Sequence, residues 1–300
     1  MMRSNRNNVV CFGEILWDIL PTASLPGGAP MNVAYHLKKL GNNPQLISKI
    51  GEDEWGQKLI DLLVKSDIKT DYIKTDKLLS TGKVNATIGE NNEVSYNIVK
   101  PVAWDNIEWQ QGFEPIMKSA DYFVYGSLAA RSDVSRKTLF ELLSFAKNKV
   151  LDVNLRAPHY TKELLESLMP DVHLLKMNED ELVIISDWFF DLKKEEDRIN
   201  ALQNKFNIPN IVVTKGGAGA IYNCKEKYFY QDGFKVKVAD TIGSGDCFLA
   251  AFLTGLHKND RPENILQFAC AAGALIASYS GACPDYDPAE ITSLINNKSV

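Results

Sequence analysis

The sequence predicts an α/β fold: a central, mostly parallel sheet with helices on both faces and a small β appendage. Apolar runs of strand length alternate with segments of helical period through most of the chain. One pair of strand-like runs has no helix to cover it. No repeat, low-complexity tract or Pro/Gly/Ser linker interrupts the chain, which predicts a single domain over residues 1–300.

The elements follow in order. Val9–Phe12 precedes the helical pattern Met31–Leu40, Gln45–Ile50 precedes Trp55–Lys65, and Tyr122–Tyr125 precedes Lys137–Lys147. Val150–Val153, His173–Met177 and Ile211–Thr214 continue the series, each leading into a polar or helical stretch. Strands separated by helices pair in parallel, since a parallel neighbour needs a crossover of a dozen residues or more. Lys83–Gly89 and Val94–Val99 flank Glu90-Asn91-Asn92-Glu93 and read as a hairpin outside the main sheet. Such a hairpin either decorates the surface or serves as a lid over a cleft.

Composition narrows the function. A chain of 300 residues, 45% hydrophobic and 24% charged, suits a globular protein with one large core. Its net charge of −5 opposes a nucleic-acid footprint, which needs clustered Lys and Arg. The opening MMRSNRNN runs directly into Val9–Phe12 without the apolar stretch and cleavage site of a secretory signal, so a cytoplasmic protein is expected. Phe268–Ser280 is shorter than the roughly 20 residues that span a bilayer and reads as an internal helix, with no membrane partner. The five cysteines form no CxxC pair and the four histidines lack metal-ligand spacing, so buried, reduced thiols are expected. Cys247, beside Asp246, is the thiol singled out for inhibition by thiol reagents.

Two glycine clusters carry the chemistry. Asp240-Thr241-Ile242-Gly243-Ser244-Gly245-Asp246 runs into Cys247–Leu256, whose Phe248, Leu249, Phe252, Leu253 and Leu256 form a helical apolar face. Glycines at a helix N-terminus offer unpaired N–H groups, the positive end of the dipole and close approach to an anion. Asp246 fits two tasks equally well there: capping the helix, or taking a proton from a hydroxyl that attacks phosphorus. No GxxxxGK[ST] motif is present, so a P-loop does not explain phosphate binding. The second cluster, Pro26-Gly27-Gly28-Ala29-Pro30-Met31-Asn32, opens the helix Val33–Leu40, with Pro30 suited to a first turn. Asn32, donor and acceptor together, suits a polyol hydroxyl, and Asp18 can accept from two hydroxyls. A plain turn with an incidental polar residue fits this cluster equally well.

Taken together, these segments resemble the ribokinase (PfkB-type) family of carbohydrate kinases, over nearly the whole chain from Cys11–Asp18 to Ser280–Ala282. GGAPMNVAYHLKKLG matches the family's amino-terminal sugar signature, and DTIGSGD its carboxy-terminal DTxGAGD, with Ser244 in place of the usual Ala. The resemblance implies a ribokinase-like fold with a small β-sheet lid, its strands within about residues 14–26 and 81–101. It implies Asp246 as catalytic base, with the amides of Gly243, Ser244 and Gly245 stabilising the transferring phosphoryl group. Asp18, Gly27, Gly28 and Asn32 are implied for the sugar.

The NxxE pattern at Asn178 and Glu181 implies contact with ATP and with Mg²⁺ through water. Outside the family, three acids at a helix start are ordinary dipole complementation. Thr214, Gly216 and Gly219 fit the family's ATP-contacting turn, although a bulkier residue often stands where Gly217 does. Asp240 and the Ile242 carbonyl match positions that hold a monovalent cation such as K⁺ in many members. Asp152-Val153-Asn154-Leu155-Arg156, Gly126–Arg131 and Gly13–Asp18 look most like the fructokinase branch. Arg156 then supplies a cation where sugar and phosphates meet, or else sits in a surface ion pair. The expected reaction is phosphorylation of a ketohexose, fructose first, by a homodimer. Kinases of ribose, 2-keto-3-deoxy sugar acids or nucleosides are the alternatives, and a non-catalytic sugar sensor is the alternative from another class.

Overall fold

The computed structural model describes residues 7–21, 23–88, 94–224 and 226–298. The chain begins with β1 (Asn8–Phe12), followed by β2 (Leu16–Ile19), β3 (Ser24–Gly27) and α1 (Ala29–Lys39). Next come β4 (Asn43–Gly51), α2 (Glu54–Lys65), β5 (Ile73–Asp76), β6 (Gly82–Ile88) and β7 (Val94–Ile98). The alternation then resumes through α3 (Phe113–Ser119), β8 (Tyr122–Gly126), α4 (Asp133–Phe145), β9 (Lys149–Asp152), α5 (Lys162–Leu168) and β10 (Leu174–Asn178). Two helices, α6 (Glu179–Asp187) and α7 (Glu195–Phe206), precede β11 (Asn210–Thr214), β12 (Ala220–Cys224) and β13 (Lys227–Gln231). Three helices, α8 (Ser244–Lys258), α9 (Pro262–Ala277) and α10 (Ala289–Lys298), complete the described chain.

The main sheet has the order β13-β12-β11-β10-β9-β8-β1-β4-β5. Its pairings are parallel from β11 to β5, and antiparallel at β11–β12 and β12–β13. β1 shows why both faces need helices. Val9 and Cys11 enter one core with residues of α1, α2, α8 and α9, while Val10 and Phe12 enter the other with α3 through α7. The two-residue period thus feeds two hydrophobic layers from one strand. A second sheet, β3-β2-β6-β7, stands apart, and the tip of its β6–β7 hairpin, including Glu90–Glu93, lies outside the described residues.

Helix starts differ from the expected ones for one reason. α1 begins at Ala29 and α8 at Ser244, because each follows a glycine whose positive φ, 112° at Gly28 and 77° at Gly243, turns the chain into the helix earlier than the apolar pattern shows. The edge hairpin β12–β13 was not anticipated. A fully buried Asn223 interrupts its apolar run, and no crossover helix separates its strands. Phe268–Ser280 falls mostly within α9, and among the described residues no helix is long and apolar enough to cross a membrane.

Because β1 lies between β4 and β8, the strand order reverses there, and a crevice opens at the carboxyl ends of the strands. The N-termini of α1 and α8, the ends of β9, β10 and β11, and the inner side of the small sheet all reach that crevice.

Candidate active site

The crevice is a cleft of about 610 Å³. Val84 of β6 and Tyr96 and Ile98 of β7 line it from the small sheet, so these three side chains face the cleft.

On one side stand Glu14, Asp18, Gly28 and Asn32. Asp18 lies on β2, not on the first strand of the main sheet, and burial pushes its carboxyl up to about 6. Gly27 is outside the lining. A Cβ there would lie 2.4 Å from Asp18 Oδ2, so this glycine makes room for the carboxylate. Gly28 caps α1 without a side chain, and a Cβ on it would meet the Glu14 carbonyl oxygen at 2.4 Å. Glu14 was missed by sequence reasoning. It is 3% exposed, burial pushes its carboxyl up to about 7 against the pull of its own and the Ala29 backbone N–H groups, and Oε2 has no partner among the described residues. An acid inside the apolar run Cys11–Leu16 was the available signal.

Asp246 occupies the third position of α8, where Gly243 is the N-cap and no side chain caps the helix. The capping role weighed from the sequence is therefore not the one adopted. Instead Oδ2 accepts a 2.8 Å hydrogen bond from Asn32 Nδ2, across 214 residues of sequence. Burial, reinforced by the charge of Asp152, lifts the carboxyl to about 6, against the pull of Asn32, Lys176 and Arg156. Gly243 fits tightly, since a Cβ would lie 2.7 Å from the Ala282 backbone. Ser244 lies off the lining, its Oγ donating to the Thr241 carbonyl at 2.8 Å and its N–H to the same oxygen at 3.3 Å.

Facing this mouth is Lys176, a second residue that sequence reasoning passed over. Its Nζ donates to both oxygens of Asp152 at 2.8 Å, and a Cβ on Gly245 would be only 3.5 Å from that Nζ. Burial pushes the ammonium down, but the Asp152 carboxylate outweighs it and holds Lys176 above its ordinary value. A lysine within the buried strand run His173–Met177 was the signal.

Asn178 and Glu181 form a capping box at α6: Asn178 Oδ1 accepts from Glu181 N at 2.8 Å, and Glu181 Oε2 from Asn178 N at 2.9 Å. Glu181 Oε1 also accepts from Leu155 N at 2.7 Å. Both residues line the cleft, as does Thr214 at the end of β11. Gly216 and Gly219 do not. Gly219, at φ 109°, has a backbone role, since a Cβ would fall 1.9 Å from the Gln231 oxygen. Arg156 is exposed at the rim, donates to the Leu155 carbonyl and makes no ion pair among the described residues. Asp240 lies behind the lining, with Oδ1 accepting from Ile242 N at 3.0 Å and Oδ2 from Gly281 N at 3.2 Å, while Ile242 is in the lining. Among the described residues no three His, Cys, Asp or Glu side chains gather into a metal cage. Cys247 is fully buried with its thiol pushed upward, contrary to its selection as a reagent target, and Cys283 is the half-buried thiol near Asp246.

A helix mouth that opens on glycines, with a buried ammonium facing it and a carboxylate beside it, has the chemistry to receive a phosphoryl group. The pfkB family carbohydrate kinase model matches residues 8–289, and the chain belongs to that family. It is an ATP-dependent sugar kinase. The chain is 28% identical over 326 residues to probable fructokinase-5 of Arabidopsis thaliana, covering 99% of each protein. It is 30% identical over 310 residues to probable fructokinase-6, chloroplastic, of the same plant, covering 92% of this chain and 79% of the relative. The fold matches that of the fructokinase with bound ATP from Xylella fastidiosa with a TM-score of 0.86 at 22% identity, covering 98% of this chain and 99% of that one.

Proposed function

We propose that this kinase phosphorylates D-fructose on a primary hydroxyl, with Asp246 as general base. The observation that carries the assignment of the base is the place of its carboxylate: at the glycine-led mouth of α8, turned by Asn32 and set opposite Lys176. The fructokinase names of the relatives support the choice of sugar.

Asp18, Gly28 and Asn32 hold the sugar, and Arg156, Asn178 and Thr214 the nucleotide phosphates. Gly27 allows Asp18 its place, as Gly219 does for the turn that follows Thr214 and Gly216. Asp246 takes the hydroxyl proton as the hydroxyl oxygen bonds to the γ-phosphorus. The bond from that phosphorus to the β–γ bridging oxygen breaks, and ADP leaves with the electron pair. Growing negative charge meets the N–H groups at the α8 mouth, at Gly243 and Gly245 with Ser244 between them, and the Lys176 ammonium. Closure of the small sheet, which brings Tyr96 and Ile98 over the sugar, excludes water that would hydrolyse ATP.

A kinase of this class works with a divalent cation, here read as Mg²⁺. The cleft fits an ion held mainly by phosphates and water, because Glu181 offers hard oxygens that already accept backbone N–H groups and retain further lone pairs. The ion would neutralise charge on the triphosphate. Asp240 and the Ile242 carbonyl are the candidate monovalent site, for K⁺. The reading includes a cytoplasmic setting, which suits five free cysteines, and a homodimer formed along the open edges β3 and β7 of the small sheet.

Asp246→Asn is expected to lower kcat by about 10²–10⁴-fold with fructose binding retained. Near-normal turnover by the folded variant overturns the base. An ADP-release assay over fructose, ribose, sugar acids and nucleosides tests the sugar, and inactivity on fructose overturns that choice.

A further inference from the structure

Asn32 reaches Asp246 with its Nδ2, and an amide that points one way has been told which way to point. The group on its other side is Cys283, whose Sγ donates to Asn32 Oδ1 at 3.4 Å. A thiol is a donor, so it fits the amide oxygen and leaves the amide N–H₂ for the carboxylate. Reversing the amide would set its oxygen against a carboxylate that accepts only.

Cys283 itself is held in place. It belongs to the segment 282–286, which α1 grips from the same helix face that carries Asn32. Tyr35 Oη donates to the Pro284 carbonyl at 2.8 Å. His36 Nε2 meets the Ala282 carbonyl at 2.9 Å and Nδ1 meets Tyr286 Oη at 3.2 Å. A carbonyl only accepts, so the proton of His36 is on Nε2, and Nδ1 accepts from Tyr286. Lys39 pairs with Asp285. The segment is thus tied to α1. Its first residue, Ala282, is also the backbone against which Gly243 packs, so one segment touches both the capping glycine of α8 and the amide that aims the base.

We infer that Cys283, which lies outside the cleft lining, is a positioning residue for the reaction: its thiol fixes the Asn32 amide so that Nδ2 faces Asp246. The inference rests on Asp246 being the base. Lys176 from β10, Asp152 from β9, Arg156 from the loop after β9, Glu14 from the loop after β1, and Cys283 with Cys247 surround that carboxylate. Among these, Asn32 is the neutral group whose hydrogen bond favours the ionised form.

Cys283→Ala and Cys283→Ser are compared with the parent kinase in kcat, KM for fructose and for ATP, and the pH profile of kcat/KM. Without the donor the amide loses its second anchor and turns aside part of the time, the bond to the carboxylate weakens, and the base binds its proton more tightly. The expected result for Cys283→Ala is a kcat lower by about 3–10-fold, below the range for outright loss of a positioned base. Its acidic limb moves to higher pH, while KM for ATP is unchanged. Cys283→Ser, with a hydroxyl donor, restores the parent profile. A packing role alone would change thermal stability without moving the limb. An unmoved limb in Cys283→Ala, or a Ser variant as impaired as Ala, overturns the inference. Asp246→Asn in the same assays separates the two readings: if that variant turns over, the base assignment has failed, whereas an inactive Asp246→Asn beside a normal Cys283→Ala refutes only the positioning role.

Discussion

The mouths of α1 and α8 both begin at a glycine of positive φ, both lack a side-chain cap, and both open on the same cleft. They differ in what meets their amides. At α1 the Glu14 carboxyl lies beside the Ala29 N–H, whose pull favours its ionised form, and Gly28 is pressed against the Glu14 backbone. That helix end carries an acid of its own chain. At α8 the acid of the first turn is Asp246, which is bound to Asn32, and Gly245 opens toward the Lys176 ammonium. A glycine-led helix start is therefore not by itself a phosphate site. What stands beside the amides decides: on the proposed function the mouth of α8, with the Lys176 ammonium opposite Gly245, suits the phosphoryl group, and α1 the sugar.

The largest expected effect comes from removing the cation that sets α8 apart. Lys176→Met leaves Asp152 buried and unpaired, which should cost about 3–5 kcal/mol of stability by denaturant titration. Adding Asp152→Asn should recover much of that stability but not turnover. If the folded double variant phosphorylates fructose at the parent rate, the distinction between the mouths loses its electrostatic basis.

Substituting the two glycines tests the comparison directly. Gly28→Ala and Gly243→Ala each place a Cβ at positive φ against backbone, at 2.4 Å and 2.7 Å, and each should cost about 1–3 kcal/mol. Their kinetic signatures should separate: a raised KM for fructose from Gly28→Ala, and a lowered kcat with a raised KM for ATP from Gly243→Ala. Identical signatures would show one site where two are argued.

Much of this was legible in the sequence, and the reason is periodicity. Six strands of the main sheet are buried runs set between helical segments, and the stray hairpin declared itself by having no helix to cover it. The glycine clusters were legible as helix mouths, but not what distinguishes them, because Glu14, Lys176 and Asp152 are buried charges whose meaning depends on partners far along the chain. Asn32 illustrates the same limit. Its residue type suited a sugar hydroxyl, yet its Nδ2 is bonded to a carboxylate 214 residues away, a contact that no local pattern encodes.

Acid sensitivity is expected to be moderate in size and definite in sign. Asp246 must be ionised to act as base, and its carboxyl is raised to about 6, so kcat/KM should be full well above pH 6 and fall about tenfold per unit well below it. An acidic limb near the ordinary carboxylate range would mean that burial does not govern this group.

The smallest effect is the one that tests whether the two mouths sense each other. Burial, with the Asp246 carboxylate adding to it, pushes Glu14 up to about 7, so Glu14 takes up its proton before Asp246 does as the pH falls. Glu14→Gln keeps an oxygen beside the Ala29 N–H, so α1 should remain in place, but removes a neighbour that can ionise. Because Glu14 is already mostly protonated where Asp246 titrates, the acidic limb should move toward acid by less than about half a pH unit. KM for fructose serves as the control, since a disturbed α1 would raise it through Asn32. A limb that moves toward alkali instead would mean that Glu14 acts on Asp246 through the placement of α1, and the two mouths would then be coupled by structure, not by charge.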